Sequence, residues 1–479
     1  MTIERLPRRQ RGESCKVIEM KVEECLRPIG GKLVSGVGTK VFRGVSIDSR
    51  TLKKDELFVC IRGDRLDGHD FIEEAQKKKA AAIILSNRSN EVSRREGAPI
   101  VIRVDDTLEA LQELARFHRG EMSVRVVGIT GTNGKSTTKE MTAAITEKKL
   151  KTIKTKGNLN NHIGLPLSLF HLSKNDEVAI LEMGMSAAGE IKRLAEIAQP
   201  QIGVLTNITE GHLVHLKTLK KVQAAKGELY DSLSEQGIAI VNADDPLVLE
   251  LAKSVRAKVV TYGIHNEADI KAEDIRSMGG REGFSLNVHF FDKNVPVSLP
   301  FLGECNIYNA LAAIATSYSL GMGPGDIQDG LRSVKLLPNR YEVTEHEGVT
   351  IINDSYNANP RSMQEALKTL TNYKCEGRRF FIVGDMLELG DLAEPAHKAL
   401  GIDITKYPID YLVTVGELSA QVAKSAVVSG MDKKHTATAS GHECAVAFLK
   451  KYVRPGDCLL VKGSRGSRME EVIEGFVAY

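Results

Sequence analysis

The chain has 479 residues, of which 42% are apolar and 27% charged, and its formal net charge is +3. That length exceeds what one hydrophobic core supports, so two to four domains are expected. Near-balanced charge, no tryptophan and 5% aromatic residues exclude a dedicated nucleic-acid binder built on a basic face and base stacking. No apolar run reaches the length of a membrane span.

The seven cysteines, at positions 15, 25, 60, 305, 375, 444 and 458, are scattered and form no Cys-x-x-Cys pair. They read as reduced thiols, with neither a zinc site nor a disulfide framework. Arg5, Arg8, Arg9 and Arg11 have no apolar stretch behind them, which reads as a tail and not as a signal peptide. A first block runs to about residue 122. It mixes helical patterns with short strands at Leu57 to Ile61, Ala81 to Leu85 and Ile100 to Val104, and it holds Ser46-Ile47-Asp48-Ser49-Arg50 and Asp67-Gly68-His69.

The second block begins with an apolar, β-branched strand, Val124 to Ile129. It leads into Gly128-Ile129-Thr130-Gly131-Thr132-Asn133-Gly134-Lys135-Ser136-Thr137-Thr138, and a helix follows with Ala143, Ala144 and Ile145 on its inner face. Strand, glycine-rich turn and Lys-Ser at a helix start make a phosphate site. Glycines let backbone N–H groups approach phosphate oxygens, and the helix N-terminus adds a positive dipole. In that pattern Lys135 reaches the β- and γ-phosphates and Ser136 ligates Mg²⁺. The usual spacing puts the first glycine at position 129, which here is Ile129, with glycines at 128, 131 and 134. The loop is therefore a variant.

Strand-like runs continue at Val178 to Leu181, Ile202 to Thr206, Ile238 to Val241 and Val259 to Tyr262, with helical patterns between most of them. That rhythm predicts a parallel sheet wrapped by helices. Glu182 follows the first of these runs, at a strand's C-terminal end, where open α/β sheets bind ligands and where it could hold Mg²⁺ beside Ser136. Asn207, Glu210 and His212 follow the second. Lys226, in Ala224-Ala225-Lys226-Gly227, is by pattern alone an ordinary helix lysine. Residues 269 to 300 alternate with period two and predict an antiparallel appendage. An Ala-rich helix spans Ile307 to Leu320, and Pro338-Asn339 reads as a hinge.

The third block repeats the rhythm, with strands at Val349 to Ile352, Phe380 to Val383, Tyr411 to Val415 and Cys458 to Val461. Two segments are unusually rich in asparagine: Thr155 to Pro166, with Asn158, Asn160 and Asn161, and Asp354-Ser355-Tyr356-Asn357-Ala358-Asn359-Pro360. In the latter, Asn359 is placed to cap a helix that has Pro360 at its first position.

Gly131 to Ser136, Glu182-Met183-Gly184, His212, Ala225-Lys226, Asn306-x-x-Asn309 and Asp354 together resemble the Mur ligases of peptidoglycan synthesis. Thr155 to Pro166, Asp354 to Pro360, Gly384 to Gly390 and Lys462-Gly463-Ser464-Arg465 resemble the member that adds D-alanyl-D-alanine to UDP-N-acetylmuramoyl-tripeptide. The resemblance covers about residues 45 to 475. It implies an α/β chain of three domains: a UDP-substrate domain over residues 1–122, with the first 40 or so unassigned, a central P-loop-type parallel sheet over 123–338, and a Rossmann-like ligase domain over 339–479.

It also implies a cytoplasmic, monomeric enzyme using ATP and Mg²⁺. Residues 131–137 would hold the phosphates. Ser136 and Glu182 would hold one metal, and His212 would help hold a second. Lys226 falls where the family carries a carbamylated lysine. Asn306 and Asn309 would contact adenine, with Arg340 and Asp354 on the phosphate and ribose side. Ser49, Arg50, Asp67, Gly68 and His69 would hold the UDP moiety, and Asn160 and Asn161 the sugar-peptide. Cys305 stands where a His is common, and Lys217-Thr218 replaces a usual Gly-Ser. Two other readings stay open: a different ligase of the superfamily (lysine- or diaminopimelate-adding, or folylpolyglutamate synthetase), or a P-loop ATPase that ligates nothing.

Overall fold

The computed structural model describes residues 18–86, 98–211, 213–279, 282–290, 293–335 and 337–478. Cys15, His212 and the arginines of the first eleven residues lie outside them. The chain folds into two compact units interleaved in sequence. One takes Met1–Gly128, Leu150–Met185 and Gly189–Gln201, and the other takes Ile129–Lys149, Ser186–Ala188 and Ile202–Tyr479.

In the first unit, β1 (Glu19–Lys21) pairs antiparallel with β3 (Val41–Arg43). A second sheet has the order β2-β7-β6-β5-β4, from β2 (Lys32–Ser35), β4 (Val45–Ser46), β5 (Leu57–Val59), β6 (Ala82–Ser86) and β7 (Ile100–Val104). β4 to β7 run parallel and β2 is antiparallel at the edge. The three strands expected from apolar runs are β5, β6 and β7, and their residues are almost wholly buried. Continuous Val/Ile/Leu runs suit strands covered on both faces. The edge strand β2 has no such run, and Leu33 and Val34 are exposed. Asp106 caps helix Thr107–Gly120 by accepting Leu108 N and Glu109 N at 2.7 and 2.9 Å. β8 (Arg125–Thr130) starts in this unit, which also holds the parallel pair β9 (Thr152–Lys154) and β10 (Val178–Glu182).

The second unit holds two sheets' worth of strands. In the first, β11 (Ile202–Leu205), β12 (Ile238–Asn242), β13 (Lys258–Gly263) and β14 (Ile270–Ser277) run parallel in succession. β14 then pairs antiparallel with β15 (Phe284–Phe290), and β15 with β16 (Lys293–Leu299). The expected antiparallel segment is present, with Leu286, Val288 and Phe290 on its buried face. It is no separate appendage, because β14 continues the sheet in parallel from β13. The other sheet has the order β17-β18-β22-β19-β20-β21. It is built from β17 (Glu342–His346), β18 (Val349–Asp354), β19 (Arg379–Gly384), β20 (Tyr411–Val415), β21 (Thr436–Ala439) and β22 (Cys458–Lys462). All run parallel except the edge strand β17. Its two faces are packed by separate apolar clusters, one around Leu367, Phe381 and Leu460, the other around Phe380, Val413 and Leu459. At the expected hinge, Asn339 and Tyr341 hold φ values of 63° and 51° on either side of Arg340, a conformation uncommon for residues with a side chain.

Candidate functional site

Strand β8 ends at Thr130, and the chain turns through Gly131 to Gly134 into helix Lys135–Thr146. Gly131 has φ 146° and Gly134 φ 84°. A Cβ on Gly131 would fall on Thr206 Oγ1, and one on Gly134 on Asn309 Oδ1. Only glycine fits at both places, so the backbone between them is free to wrap an anion.

The turn is pinned from the end of β11. Thr132 N donates to Asn207 O at 2.9 Å, and Asn133 N to Asn207 Oδ1 at 2.9 Å. Thr206 Oγ1 donates to Asn133 O at 2.6 Å, and Asn207 Nδ2 reaches the same oxygen at 3.1 Å. Thr132 Oγ1 and Thr209 exchange hydrogen bonds at 3.0 and 3.2 Å. These bonds hold the loop's shape from side chains some 75 residues away in sequence, which preorganises it.

Two lysines meet there. Lys135 Nζ donates to Gly131 O at 2.9 Å and to Thr132 O at 3.0 Å. Lys226, on helix Leu219–Asp231, donates to the same Gly131 O at 2.9 Å and is only 1% exposed. Burial, and then the charge of Lys135, lower the Lys226 pKa well below the usual lysine value. Ser136 is buried, and its Oγ accepts from Arg340 Nη2 at 3.0 Å. The Arg340 guanidinium also lies 3.8 Å from the Tyr356 ring centroid, and its Nε is buried with no hydrogen-bond partner. An unused buried donor beside two lysines and a glycine cradle fits a polyanion.

Asn309 Nδ2 donates to Asn306 Oδ1 at 3.0 Å, Asn306 Nδ2 to Leu302 O at 2.6 Å, and Thr138 Oγ1 to Asn309 Oδ1 at 3.4 Å. The asparagine pair thus sits directly behind Gly134. Asn359 reaches the loop from the carboxy-terminal sheet, with its Nδ2 donating to Asn133 Oδ1 at 2.7 Å. It also caps helix Pro360–Asn372 by accepting Ser362 N at 2.9 Å, with Pro360 at the first position as expected.

Asp354 is placed differently from a surface ligand. It is buried at the end of β18 and pairs with Lys462 at 2.6 Å. Burial raises its pKa, with Lys462 and Arg340 acting against the rise. Thr137 is buried in the first turn of the phosphate-loop helix.

The remaining candidates belong to the first unit. Asn160 Nδ2 donates to Glu182 Oε1 at 2.8 Å, and Glu182 N donates to Thr155 Oγ1 at 3.0 Å. Asn161 Oδ1 accepts Ile163 N and Gly164 N at 3.1 and 2.8 Å, which starts helix Gly164–Leu169. His69 Nδ1 lies 2.6 Å from Asp67 Oδ1, and its Nε2 accepts Ser86 N at 3.0 Å. The proton is thereby assigned to Nδ1. Gly68 is buried, Ser49 donates to Glu74 at 2.7 Å, and Arg50 pairs with Asp48 at 2.7 Å.

The two sequence departures have visible consequences. Lys217 holds φ 65°, a conformation that costs a lysine about 1 kcal/mol or more and glycine almost nothing. Thr218 keeps a capping role, accepting Lys221 N at 3.3 Å. Cys305 opens helix Cys305–Ser319, and burial pushes its thiol up to about 12. Sequence reasoning gave no role to Lys462, Tyr356 or Thr206. Lys462 carried a signal, being a lone charge at the end of the apolar run Cys458 to Val461.

Three domain families match the chain. The Mur ligase family catalytic domain matches residues 41–119, the Mur ligase middle domain 129–317, and the Mur ligase glutamate ligase domain 339–465. The UDP-N-acetylmuramoyl-tripeptide–D-alanyl-D-alanine ligase of Bacillus subtilis is 39% identical over 440 residues, 91% of this chain and 93% of that one. The Escherichia coli protein of the same name is 35% identical, over 90% and 92% of the two chains. Among solved structures, MurF from Acinetobacter baumannii superposes with a TM-score of 0.88 at 27% identity, covering 97% of this chain and 100% of that one. MurF ligase from Thermotoga maritima, in complex with ADP, gives 0.80 at 30% identity, covering 91% and 97%.

Proposed function

This chain belongs to the Mur ligase family, and from that premise we infer an ATP-dependent amide ligase that adds D-alanyl-D-alanine to UDP-N-acetylmuramoyl-tripeptide in peptidoglycan synthesis. The observation that carries the reading is the convergence of Lys135 and Lys226 on the Gly131 carbonyl, in a glycine cradle backed by Arg340. Such an arrangement sets Lys135 and Arg340 as cations, and a buried amine beside them, where a nucleotide's terminal phosphates would lie.

In the proposed reaction the tripeptide's carboxylate takes the γ-phosphoryl group of ATP, and the dipeptide amine then displaces phosphate from the acyl phosphate. Backbone N–H groups of residues 131–137 and the Lys135 ammonium would hold the phosphates. Arg340 would neutralise charge on the transferred group, and Asn306 and Asn309 would contact adenine. Lys226 has a further role open to it. A buried amine in its neutral form would add carbon dioxide, releasing a proton and becoming a carbamate anion beside the phosphate site.

Among the described residues no three His, Cys, Asp or Glu side chains cluster as a metal cage. Mg²⁺ takes one or two protein ligands and fills its shell with phosphate oxygens and water. Ser136 is the proposed loop ligand, and its charge-stabilising partner would lower the barrier to phosphoryl transfer. Glu182 and His212 are proposed as further donors on the family pattern. Asp354 on the ribose side, and Ser49, Arg50, Asp67, Gly68, His69, Asn160 and Asn161 toward the UDP-sugar peptide, remain proposals of the same kind.

We also propose three domains with boundaries near residues 122 and 338, a monomer, and a cytoplasmic location, where ATP and UDP-linked precursors meet. No helix among the described residues is long and apolar enough to cross a membrane. The test is ADP release against UDP-sugar peptides, with and without D-alanyl-D-alanine. Release that requires both substrates is expected. Equal release with neither present overturns the ligase reading in favour of a simple ATPase.

A further inference from the structure

Two cysteines that play no part in the ligase reading come together at the start of β22, the end of the strand opposite Lys462. Cys458 is the first residue of that strand and is 1% exposed. Cys375 is half-buried in the turn between helix Pro360–Asn372 and β19. That turn runs beside the residues leading into β22. Cys458 N donates to Arg378 O at 2.9 Å, Gly377 N to Gly456 O at 2.8 Å, and Arg378 N to Asp457 Oδ1 at 2.8 Å.

The Cys375 thiol joins this network. Its Sγ lies 3.4 Å from Gly377 O and 3.6 Å from both Arg378 O and Gly456 O. The two cysteines therefore share the Arg378 carbonyl, one through its backbone N–H and the other through its sulfur. Cys375 also packs against the apolar cluster to which Cys458 belongs. Both are free thiols. Burial, and then the adjoining Cys375 side chain, push the Cys458 thiol up to about 12. Cys458 thus stays protonated until its neighbour is activated.

We propose that Cys375 and Cys458 are a redox-active pair, which a low-molecular-weight disulfide oxidises to an intramolecular disulfide. The more accessible Cys375 reacts first. Its thiolate attacks the small disulfide, one small thiolate leaves, and Cys375 holds a mixed disulfide. The Cys458 sulfur then attacks the Cys375 sulfur, and the second small thiolate leaves with the proton that Cys458 gives up. The protein's two thiols are oxidised and the small disulfide is reduced to two thiols. Cys375 belongs to a turn and not to a strand, so the approach to a bond of about 2.0 Å breaks no ladder. The bridge would close a loop that contains β19, β20 and β21, and a loop that long restricts the unfolded chain most. It would also join the end of helix Pro360–Asn372 to the start of β22. The other end of that helix is capped by Asn359, which touches Asn133, and the other end of β22 carries Lys462. Oxidation therefore braces the frame behind the phosphate loop without entering it.

The test is to incubate the full chain with glutathione disulfide, block the remaining thiols under denaturing conditions, and map the peptides by mass spectrometry. The peptides of Cys375 and Cys458 should be joined, with the loss of two hydrogens, and dithiothreitol should part them. Thermal unfolding should show a Tm about 5 °C above that of the reduced chain. Cys375→Ser should lose both the link and the rise in Tm, and its Cys458 should stay unmodified. Three results overturn the proposal: Cys375 left as a mixed disulfide with Cys458 still blockable, Cys375 joined instead to the exposed Cys444, or the same rise in Tm in Cys375→Ser.

Discussion

Two lysines of the second unit are almost wholly buried near strand ends, and they are handled in opposite ways. Lys462, 3% exposed, ends β22 and faces Asp354 at 2.6 Å, with the Asn357 carbonyl as a further acceptor. Its charge is matched one for one, and the pair ties β22 to β18. Lys226, 1% exposed, faces the Gly131 carbonyl and a second ammonium, that of Lys135. Its charge is opposed by its surroundings. A fold that only needed stability would not bring two lysine amines to one carbonyl and disfavour the charge of one of them. The arrangement costs free energy in the protein alone and is repaid when an anion arrives. The first lysine is therefore read as structure and the second as function.

Breaking the matched pair should have the largest effect. Lys462→Met leaves the Asp354 carboxylate buried without its partner, which typically costs about 3–5 kcal/mol. Chemical denaturation should show this loss, and Lys462→Met with Asp354→Asn should recover part of it. A single variant as stable as wild type would mean that the pair is not a tie. Next comes Lys135→Ala, which removes a loop cation and no core contact. Ligation should fall by about 100-fold or more while circular dichroism stays that of the wild type.

Lys226→Ala should lower turnover by about 10- to 100-fold, the range for groups that support a metal or phosphate site. If a carbamate is what acts there, short carboxylic acids added to the assay should restore part of the rate. Full activity in that variant would remove the contrast between the two lysines.

The smallest effect is one of pH. The folded-state pKa of Lys226 lies well below its unfolded value of 10.5. Between the two, the unfolded chain binds more protons, so wild-type stability rises with pH and the cost of burial vanishes above 10.5. In buffers free of carbon dioxide, Lys226→Met should be the more stable protein near neutrality, and its advantage should shrink as the pH approaches 10. Melting curves across that window measure the difference. An advantage that does not change with pH would mean that Lys226 is not buried as an amine.

Much of this was legible in the chain itself, because it depends on residues close together in sequence. β5, β6, β7, β10 and β11 announce themselves as unbroken apolar runs. The phosphate loop is visible because strand, glycines, Lys135 and helix start follow one another within about a dozen residues, and Asn359-Pro360 signals its helix by the chemistry of one cap. The short or polar strands β2, β17 and β21 escape notice. Each is a sheet-edge strand, held by its neighbour's backbone more than by its own side chains.

What only the folded chain decides is which distant groups share one small volume. Lys226 meets Gly131 from 95 residues away, Lys462 meets Asp354 from 108, and Asn359 meets Asn133 from 226. No local pattern carries that information, since a helix lysine reads the same whether it points to water or to another ammonium. Coulomb and desolvation energies depend on distance through space and on the water excluded there. Both are set by tertiary packing around the site, and neither is written in residue order.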